Sequence, residues 1–517
     1  MKSLRSRFSW HAVLHNVLPP AILSFFTYLI YYASFNYPFQ FDDIPNISKR
    51  FTVRGDDALS RWWYHSRWFV DWLNNLNFRI GRFEPFYYRV INVTIHVLAG
   101  LCVFYLIKTL CKQLKEGSFL RDHASLISFT SAALFLLHPV QTQTVSYVIQ
   151  ARLEGIASLL ILLTLLTYVK GMIAKNTWVK GIYGALFVVC TFASFGTKEL
   201  VIVLPMLMLL IDWVFLAQGN WGVFKQRLYM YMGVGIFFAL LVVNYIGFAR
   251  VKEILSFSGG QMNNLGNILT PNHFDLITPW SYFISEFRVV LHYLMIFLFP
   301  VGISVEYDWK LAPSFFTMQV ILPFIVLAAI WYGIVYALQN KKYPMVTFGL
   351  LWFFICVSPR STLIPCAELV CDYKAYLAGL GILFPLAIGM VYGLNKAWES
   401  LKNAPSWLHR YEFRFATLSI LMLAVGGTAF LRNKVWETSV GFFGKIMLQR
   451  HQKRRVFLIT WALRCVRLVD QKKQLLHLNT PLNWIIFTLI HTAICRLRIL
   501  CWVKPMMPLT RLKLQFV

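Results

Sequence analysis

Long apolar runs separated by short polar stretches dominate the chain, and their length is the first structural signal. Twelve of them stand out: Ala12–Phe35, Val90–Leu110, Leu126–Leu137, Gly155–Val169, Trp178–Phe195, Val201–Leu216, Leu228–Phe248, Val289–Ile303, Val320–Leu338, Met345–Val357, Tyr376–Tyr392 and Phe415–Phe430. A helix needs about 20 apolar residues to cross a bilayer, so most of these runs predict membrane-spanning helices. The first follows Lys2, Arg5 and Arg7, is longer than the core of a signal peptide, and lacks a small-residue cleavage site. It predicts a retained signal-anchor with the N-terminus inside.

Basic residues test the parity of the crossings. If each run crosses once, the loops holding Lys108, Lys112, Lys115 and Arg121, then Lys170 and Lys175, then Lys225 and Arg227, all face inside. A crossing by Val289–Ile303 would place Lys341 and Lys342, and the loop with Lys396, Lys402, Arg410 and Arg414, outside. That run is short, follows Arg288 and contains His292, so it predicts a re-entrant or interfacial helix. The expected fold class is all-α integral membrane, with eleven spanning helices plus that one. Two outside loops, 36–89 and 250–316, are too long to be plain connectors, and such loops commonly carry function. The first is crowded with Trp62, Trp63, Tyr64, Trp68, Trp72, Phe83, Phe86, Tyr87 and Tyr88, as suits a headgroup-level aromatic belt.

Composition agrees. The 517 residues are 58% hydrophobic and only 14% charged, with mean hydropathy +0.57, whereas soluble domains carry about 25% charge. The net charge of +28 would point to nucleic acid in a soluble protein. In a membrane chain it reflects anchoring of helix ends and a basic tail, so no nucleic-acid partner is expected. The nine cysteines contain no CxxC pair, which removes zinc and redox motifs. Cys366 and Cys371 share a loop and are either bridged or free thiols. No Walker, Rossmann or HExxH pattern occurs, so nucleotide and zincin chemistry have no support.

The chemistry-bearing residues cluster at helix ends. Asp42 and Asp43 follow the first span; adjacent carboxylates raise one another's pKa, which suits a general base or capture of a divalent metal. The plainer account is an Asx turn that caps the next helix. His138 opens the stretch leading to Arg152 and Glu154, and Lys198 and Glu199 occupy the equivalent end of a later pair of helices. Each of these pairs is equally well a helix-end ion pair or a snorkelling side chain. Convergence favours a site: Asp42, Asp43, Arg152, Glu154, Lys198, Glu199, Arg288, Arg360, Asp372 and Lys374 all fall on the outside face under the derived topology. A mixed acid and base cluster at one membrane face suits an anionic lipid substrate and a proton transfer. His96, on the helix that holds Asn92, is expected to be a hydrogen-bonded core histidine.

The order of short motifs carries a resemblance. FDDIPNI after the first span, Asn92 and His96, HPVQTQTVSYVIQARLEG, TKELVIVLP with Asp212, TPWSYF with Arg288 and Tyr293, FPVGISVEYDW, Ser361 to Pro365, Asp372 to Leu377, and Arg432-Asn433 with Trp436 lie in sequence. Over roughly residues 20–445 the chain resembles bacterial multispanning proteins with C-terminal tetratricopeptide repeats, relatives of the transmembrane O-mannosyltransferases. The resemblance implies a GT-C glycosyltransferase fold and a polyprenyl-phosphate-linked sugar, with mannose expected, as donor. It implies that Asp42, slightly favoured over Asp43, deprotonates an acceptor hydroxyl on a protein or glycan. Arg152, Lys198 or Arg288 would stabilise the leaving phosphate, with Glu154, Glu199, Arg360 and Lys374 as further donor contacts. The chain departs from the family at Asp372-Tyr373-Lys374, where relatives often carry an acidic residue, His or Arg, and Arg. The bacterial inner membrane is favoured over the endoplasmic reticulum, with the site on the periplasmic or lumenal face. A flippase of lipid-linked sugars and a non-catalytic scaffold are the competing classes.

The tail does not follow the family. A GT-C-like domain is expected over 1–435 and a separate basic segment over 436–517. Residues 450–517 hold thirteen Lys and Arg against the single acid Asp470, and no 34-residue repeat is legible. Back-translation with a one-base slip turns Ile459-Thr460-Trp461 into a triplet compatible with Asn-Leu-Gly, as in the repeats. The expectation is a frameshifted remnant of the repeats, against a genuine basic tail on anionic lipid.

Overall fold

The computed structural model describes residues 17–49, 53–55, 67–246, 278–307, 309–363, 368–400 and 410–438, without the side chains of 242–246, 410–412 and 415. The basic N-terminus, Trp62, Trp63, Tyr64, Cys366 and the tail from residue 439 on, with its expected frame slip, lie outside the described residues.

Every described element is helical. The first is α1 (Leu18–Tyr31), which opens with Pro19-Pro20 in its first turn, where the missing N–H costs nothing. The first outside loop contains α2 (Trp68–Gly81). Next come α3 (Pro85–Cys111), α4 (Ala124–Leu137) and the short α5 (Gln141–Ser146). A further helical turn (Val148–Gln150) and a π-helical turn (Ala151–Gly155) lead into α6 (Ile156–Ile173). The second half holds α7 (Thr177–Phe195), α8 (Leu204–Ile211), α9 (Leu228–Ile246), α10 (Pro279–Leu298), α11 (Met318–Gln339), α12 (Pro344–Val357), α13 (Leu380–Ser400) and α14 (Arg410–Asn433).

Among the described residues eight helices are long and apolar enough to cross a membrane, and three shorter apolar ones accompany them. The shortness of α4 has a local cause. His138-Pro139 ends it, and its residues from Leu126 to Leu137 are buried among α3, α13, α14 and α1. Helices α7 and α11 instead expose Trp178, Val189, Leu322 and Tyr332, as lipid-facing helices do. The bundle is an all-helical integral membrane protein.

Helix α10 has the length of a span, and contacts along it reach Arg360, Cys371 and His138. Tyr282 near its start donates to the Arg360 carbonyl at 3.0 Å, Tyr293 donates to the Cys371 carbonyl at 2.9 Å, and Phe297 near its end lies against His138. The segment after it turns back along the helix, where the Ala312 N–H donates to Ser285 at 2.8 Å. By length and composition α10 is nonetheless one of the eight helices that could cross a membrane.

Without water to squeeze out, helices in lipid gain from close backbone approach at small residues. Gly349 on α12 and Gly381 on α13 do this reciprocally: a Cβ on either would collide with the other's carbonyl oxygen. Gly349→Ala or Gly381→Ala should therefore push α12 from α13. A loss of about 1–3 kcal/mol, the usual overpacking cost, is expected in thermal unfolding of the detergent-solubilised protein. An unchanged transition would show that the two helices part without cost.

Candidate functional site

The chain leaves α1 through a tight turn, and Phe41 then takes a left-handed backbone conformation (φ 52°) that reverses its direction. A non-glycine residue pays strain for that geometry and holds it only when its surroundings enforce it. The reversal sends two adjacent carboxylates to different places. Asp43 is wholly buried and accepts the Ile149 N–H at 2.8 Å and the Gln40 N–H at 3.2 Å. Burial pushes its carboxyl up to about 7, against the pull of those hydrogen bonds and of Arg89. Asp42 stays half-buried at the edge of a cleft.

Arg89, near the start of α3, fastens this loop. Its buried guanidinium donates to the carbonyls of Tyr37, Pro38 and Ser146, each at 2.8 Å. Three carbonyls from two segments suit the planar five-donor fork, which a lysine could not match. The loop after α1 is thereby pinned to the stretch between α5 and α6.

The cleft has a volume of 210 Å³ and is lined by Asp42, Asn46, Arg67, Asp71, Gln150 and Lys198, with Val70, Ile149 and Leu153 as its apolar wall. The Asp42 N–H donates to the Tyr147 hydroxyl at 3.1 Å, and that hydroxyl is hydrogen-bonded to the Asp42 carboxylate in turn. Burial raises the pKa of Asp42, the Tyr147 hydrogen bond lowers it, and the nearby Glu368 raises it.

Lys198 is held from behind. Its ammonium lies 2.7 Å from Glu154 Oε1, which Arg360 approaches to 2.6 Å from the other side. Glu154 has no exposed surface, and it sits on the π-helical turn before α6, a distortion frequent at functional sites. Burial pulls the Lys198 ammonium below its ordinary pKa, with Glu154 acting in the opposite sense. The Tyr373 ring stands 5.3 Å from the ammonium. At the open rim, Arg67 pairs with Glu199 at 3.3 Å.

The other residues singled out from the sequence lie elsewhere. Arg152 is fully buried but turns to α2, donating to Asn77 and, at 3.3 Å, to the Tyr88 carbonyl. It does not line the cleft. Arg288 lies 4.1 Å over Trp309 and donates to Gln319 at 2.9 Å, fastening the returning segment to α10 and α11. Lys374 is buried and donates to the Glu368 carbonyl. Asp372, without exposed surface, accepts the Tyr307 hydroxyl at 2.9 Å and faces His292 at 3.4 Å. His138 packs on Phe297, and burial pushes it down to about 4, so it is neutral. His96 is a core histidine between the Leu136 carbonyl at 2.9 Å and the Tyr376 hydroxyl at 2.7 Å. Cys371 is a free thiol.

A divalent metal shared by the two aspartates does not fit, because both oxygens of Asp43 are committed to backbone N–H groups. Among the described residues no cluster of three His, Cys, Asp or Glu side chains is placed to hold one.

Reasoning from sequence missed Arg67, Asp71, Tyr147, Gln150 and Glu368. Tyr147 and Gln150 stand inside the quoted HPVQTQTVSYVIQARLEG stretch, and Asp71, Asn74 and Asn77 recur every three residues on one face of α2. That polar stripe within an aromatic helix was a usable signal; Glu368 has none. Two stability effects follow from the geometry. Glu154→Gln leaves two buried cations facing each other, and a loss of about 3–5 kcal/mol is expected in thermal unfolding. Asp43→Ala leaves the Ile149 and Gln40 N–H groups unpaired, at about 1–3 kcal/mol each, whereas Asp42→Asn should leave the melting temperature in place.

No protein-family profile matches the chain. The mouse (Mus musculus) protein O-mannosyl-transferase TMTC4 is 28% identical over 178 residues, which are 30% of this chain and 24% of the mouse protein. The match thus spans about a quarter of that relative's length. Among solved structures, ArnT from Cupriavidus metallidurans bound to undecaprenyl phosphate aligns with a TM-score of 0.34 and 13% identity, covering 85% of this chain and 77% of ArnT.

Proposed function

We propose that this chain is a GT-C-type glycosyltransferase that moves a sugar from a polyprenyl-phosphate carrier to an acceptor hydroxyl. The observation that supports it is the cleft in which the half-buried Asp42 and the ion-paired Lys198 share one wall-enclosed volume at the end of an apolar helix bundle. The similarity to a protein O-mannosyl-transferase favours mannose as the sugar and a protein Ser or Thr as the acceptor.

The chemistry runs as an in-line displacement. Asp42 takes the proton of the acceptor hydroxyl, and the acceptor oxygen forms a bond to the anomeric carbon. The bond from that carbon to the phosphate oxygen breaks, and its electron pair leaves with the phosphate. Lys198 and Arg67 neutralise the charge that develops there. Attack opposite the phosphate inverts the anomeric centre. Glu154 and Arg360 keep the ammonium of Lys198 in place, so they position rather than touch substrate. Asn46, Asp71 and Gln150 offer the donors and acceptors that sugar hydroxyls need. The carrier's chain would lie along the lipid-facing helices, on the periplasmic face of a bacterial inner membrane.

Transfer of radiolabelled sugar from polyprenyl phosphate to an acceptor peptide by protein in proteoliposomes tests the reading. Asp42→Asn should lose about 10²–10⁴-fold in rate, the usual share of a general base, at unchanged folding. Because Asp42 works only as the carboxylate and burial raises its pKa, the rate should climb with pH at values above those of an ordinary carboxylate, about 3.9. Full activity in Asp42→Asn would remove the base. Movement of the lipid-linked sugar across the vesicle without any transfer would replace the enzyme by a flippase.

A further inference from the structure

The wall of the cleft is continuous with the end of the last described helix. Val70, Ile149 and Leu153, which line the cleft, form one apolar cluster with Tyr147, Val435 and Trp436. Trp436 follows α14 in a short 3-10 turn and has no exposed surface, although it lies at the end of the bundle rather than in its middle. Its ring centroid is 5.3 Å from that of Tyr147, with the planes inclined by 30°. Phe41 also packs on Tyr147, edge-on at 6.3 Å. Ser146, the residue before Tyr147, donates to Asn433 on the last turn of α14.

Tyr147 is thus packed by two rings, and its hydroxyl accepts the Asp42 N–H beside the carboxylate. A phenol ring rotates about two torsions; packing against two aromatic neighbours restricts that freedom and fixes where the oxygen stands. We propose that Trp436 is a positioning residue for Asp42, acting through Tyr147: the indole holds the phenol, and the phenol orients the carboxylate in the cleft. The inference rests on the proposed role of Asp42. It adds that the end of α14, nearly 400 residues away in sequence, sets the geometry of the reacting carboxylate.

The carboxylate answers to every charged or titratable group around it. On its own loop stands the buried Asp43, whose oxygens are turned to Ile149 and Gln40. From α2 and its approach come Asp71 and Arg67, and from the segment before α8 comes Lys198. Glu368 faces it from the loop after α12, and Tyr147 from the turn after α5. Of these, the Tyr147 hydroxyl is hydrogen-bonded to the carboxylate, and that bond favours the ionised form. Loosening Tyr147 must therefore make Asp42 harder to ionise, which moves the acid limb of the rate to higher pH.

The test compares wild type, Tyr147→Phe, Trp436→Phe, Trp436→Ala and the double variant Tyr147→Phe with Trp436→Ala. Two readouts are taken: the pH profile of sugar transfer, and the pH dependence of Asp42 labelling by a hydrophobic carbodiimide, located by peptide mass spectrometry. The carbodiimide attacks the protonated carboxyl, so its midpoint follows Asp42 whether or not sugar is transferred. Tyr147→Phe and Trp436→Ala should both move the midpoint upward by about one pH unit, a tenfold change in the ionisation constant. Trp436→Phe, which keeps an aromatic face against the phenol, should stay near wild type, and the double variant should move no further than Tyr147→Phe alone. In transfer, kcat should fall about tenfold with the KM for donor unchanged. A midpoint that stays put in folded Trp436→Ala overturns the inference, as does an additive shift in the double variant. If wild type transfers no sugar yet the labelling midpoints move as stated, the positioning stands and the glycosyltransferase reading falls.

Discussion

Burying a charge among apolar groups costs several kcal/mol unless hydrogen bonds or a countercharge replace the lost water. At one end of this bundle the chain buries charge repeatedly, and the partners that each burial demands dictate how the segments meet. Asp43 requires the N–H groups of Ile149 and Gln40. Arg89 requires carbonyls from both the first loop and the end of α5. Glu154 requires Lys198 and Arg360, which come from segments far apart in the chain. Satisfying these three centres together leaves little choice in how the first loop, the π-helical turn and the loop after α12 are arranged.

The same arrangement separates two roles that the sequence presents side by side. Asp42 and Asp43 are chemically alike and adjacent, yet one is half-open to a cleft and the other is spent on the backbone. The left-handed residue Phe41 makes the difference, because it turns successive side chains to opposite sides of the loop. The inner carboxylate ties the loop down, and the outer one stands at the cleft beside the Tyr147 hydroxyl, which accepts the Asp42 N–H. A reacting group held by a fixed neighbour rather than by water loses less entropy on reaching the transition state.

Burial also sorts the cations. Lys198 faces the cleft, paired from behind; Arg152 is fully enclosed and turned to Asn77 and the Tyr88 carbonyl; Arg288 is stacked on Trp309 at the solvent side of α10. Three basic residues that the sequence groups together thus carry three different assignments: the cleft, the packing of α2 on the bundle, and the fastening of the returning segment.

Hydrophobic run length by itself determined the all-helical membrane fold, because a bilayer accepts few other ways of satisfying the backbone. Helix-end polarity marked Asp42, Glu154 and Lys198 as candidates for one site. What run length and charge bias do not encode is distance between segments remote in sequence. The pairing of Glu154 with both Lys198 and Arg360, the turning away of Arg152, and the contact of Trp436 with Tyr147 all depend on side chains brought together by helix packing. Glu368 is the sharpest case: an isolated acid in a loop carries no local signal, and only the fold brings it near Asp42. Local pattern reports what a segment buries; which partner compensates a buried charge is decided by the tertiary structure, since that partner comes from another part of the chain.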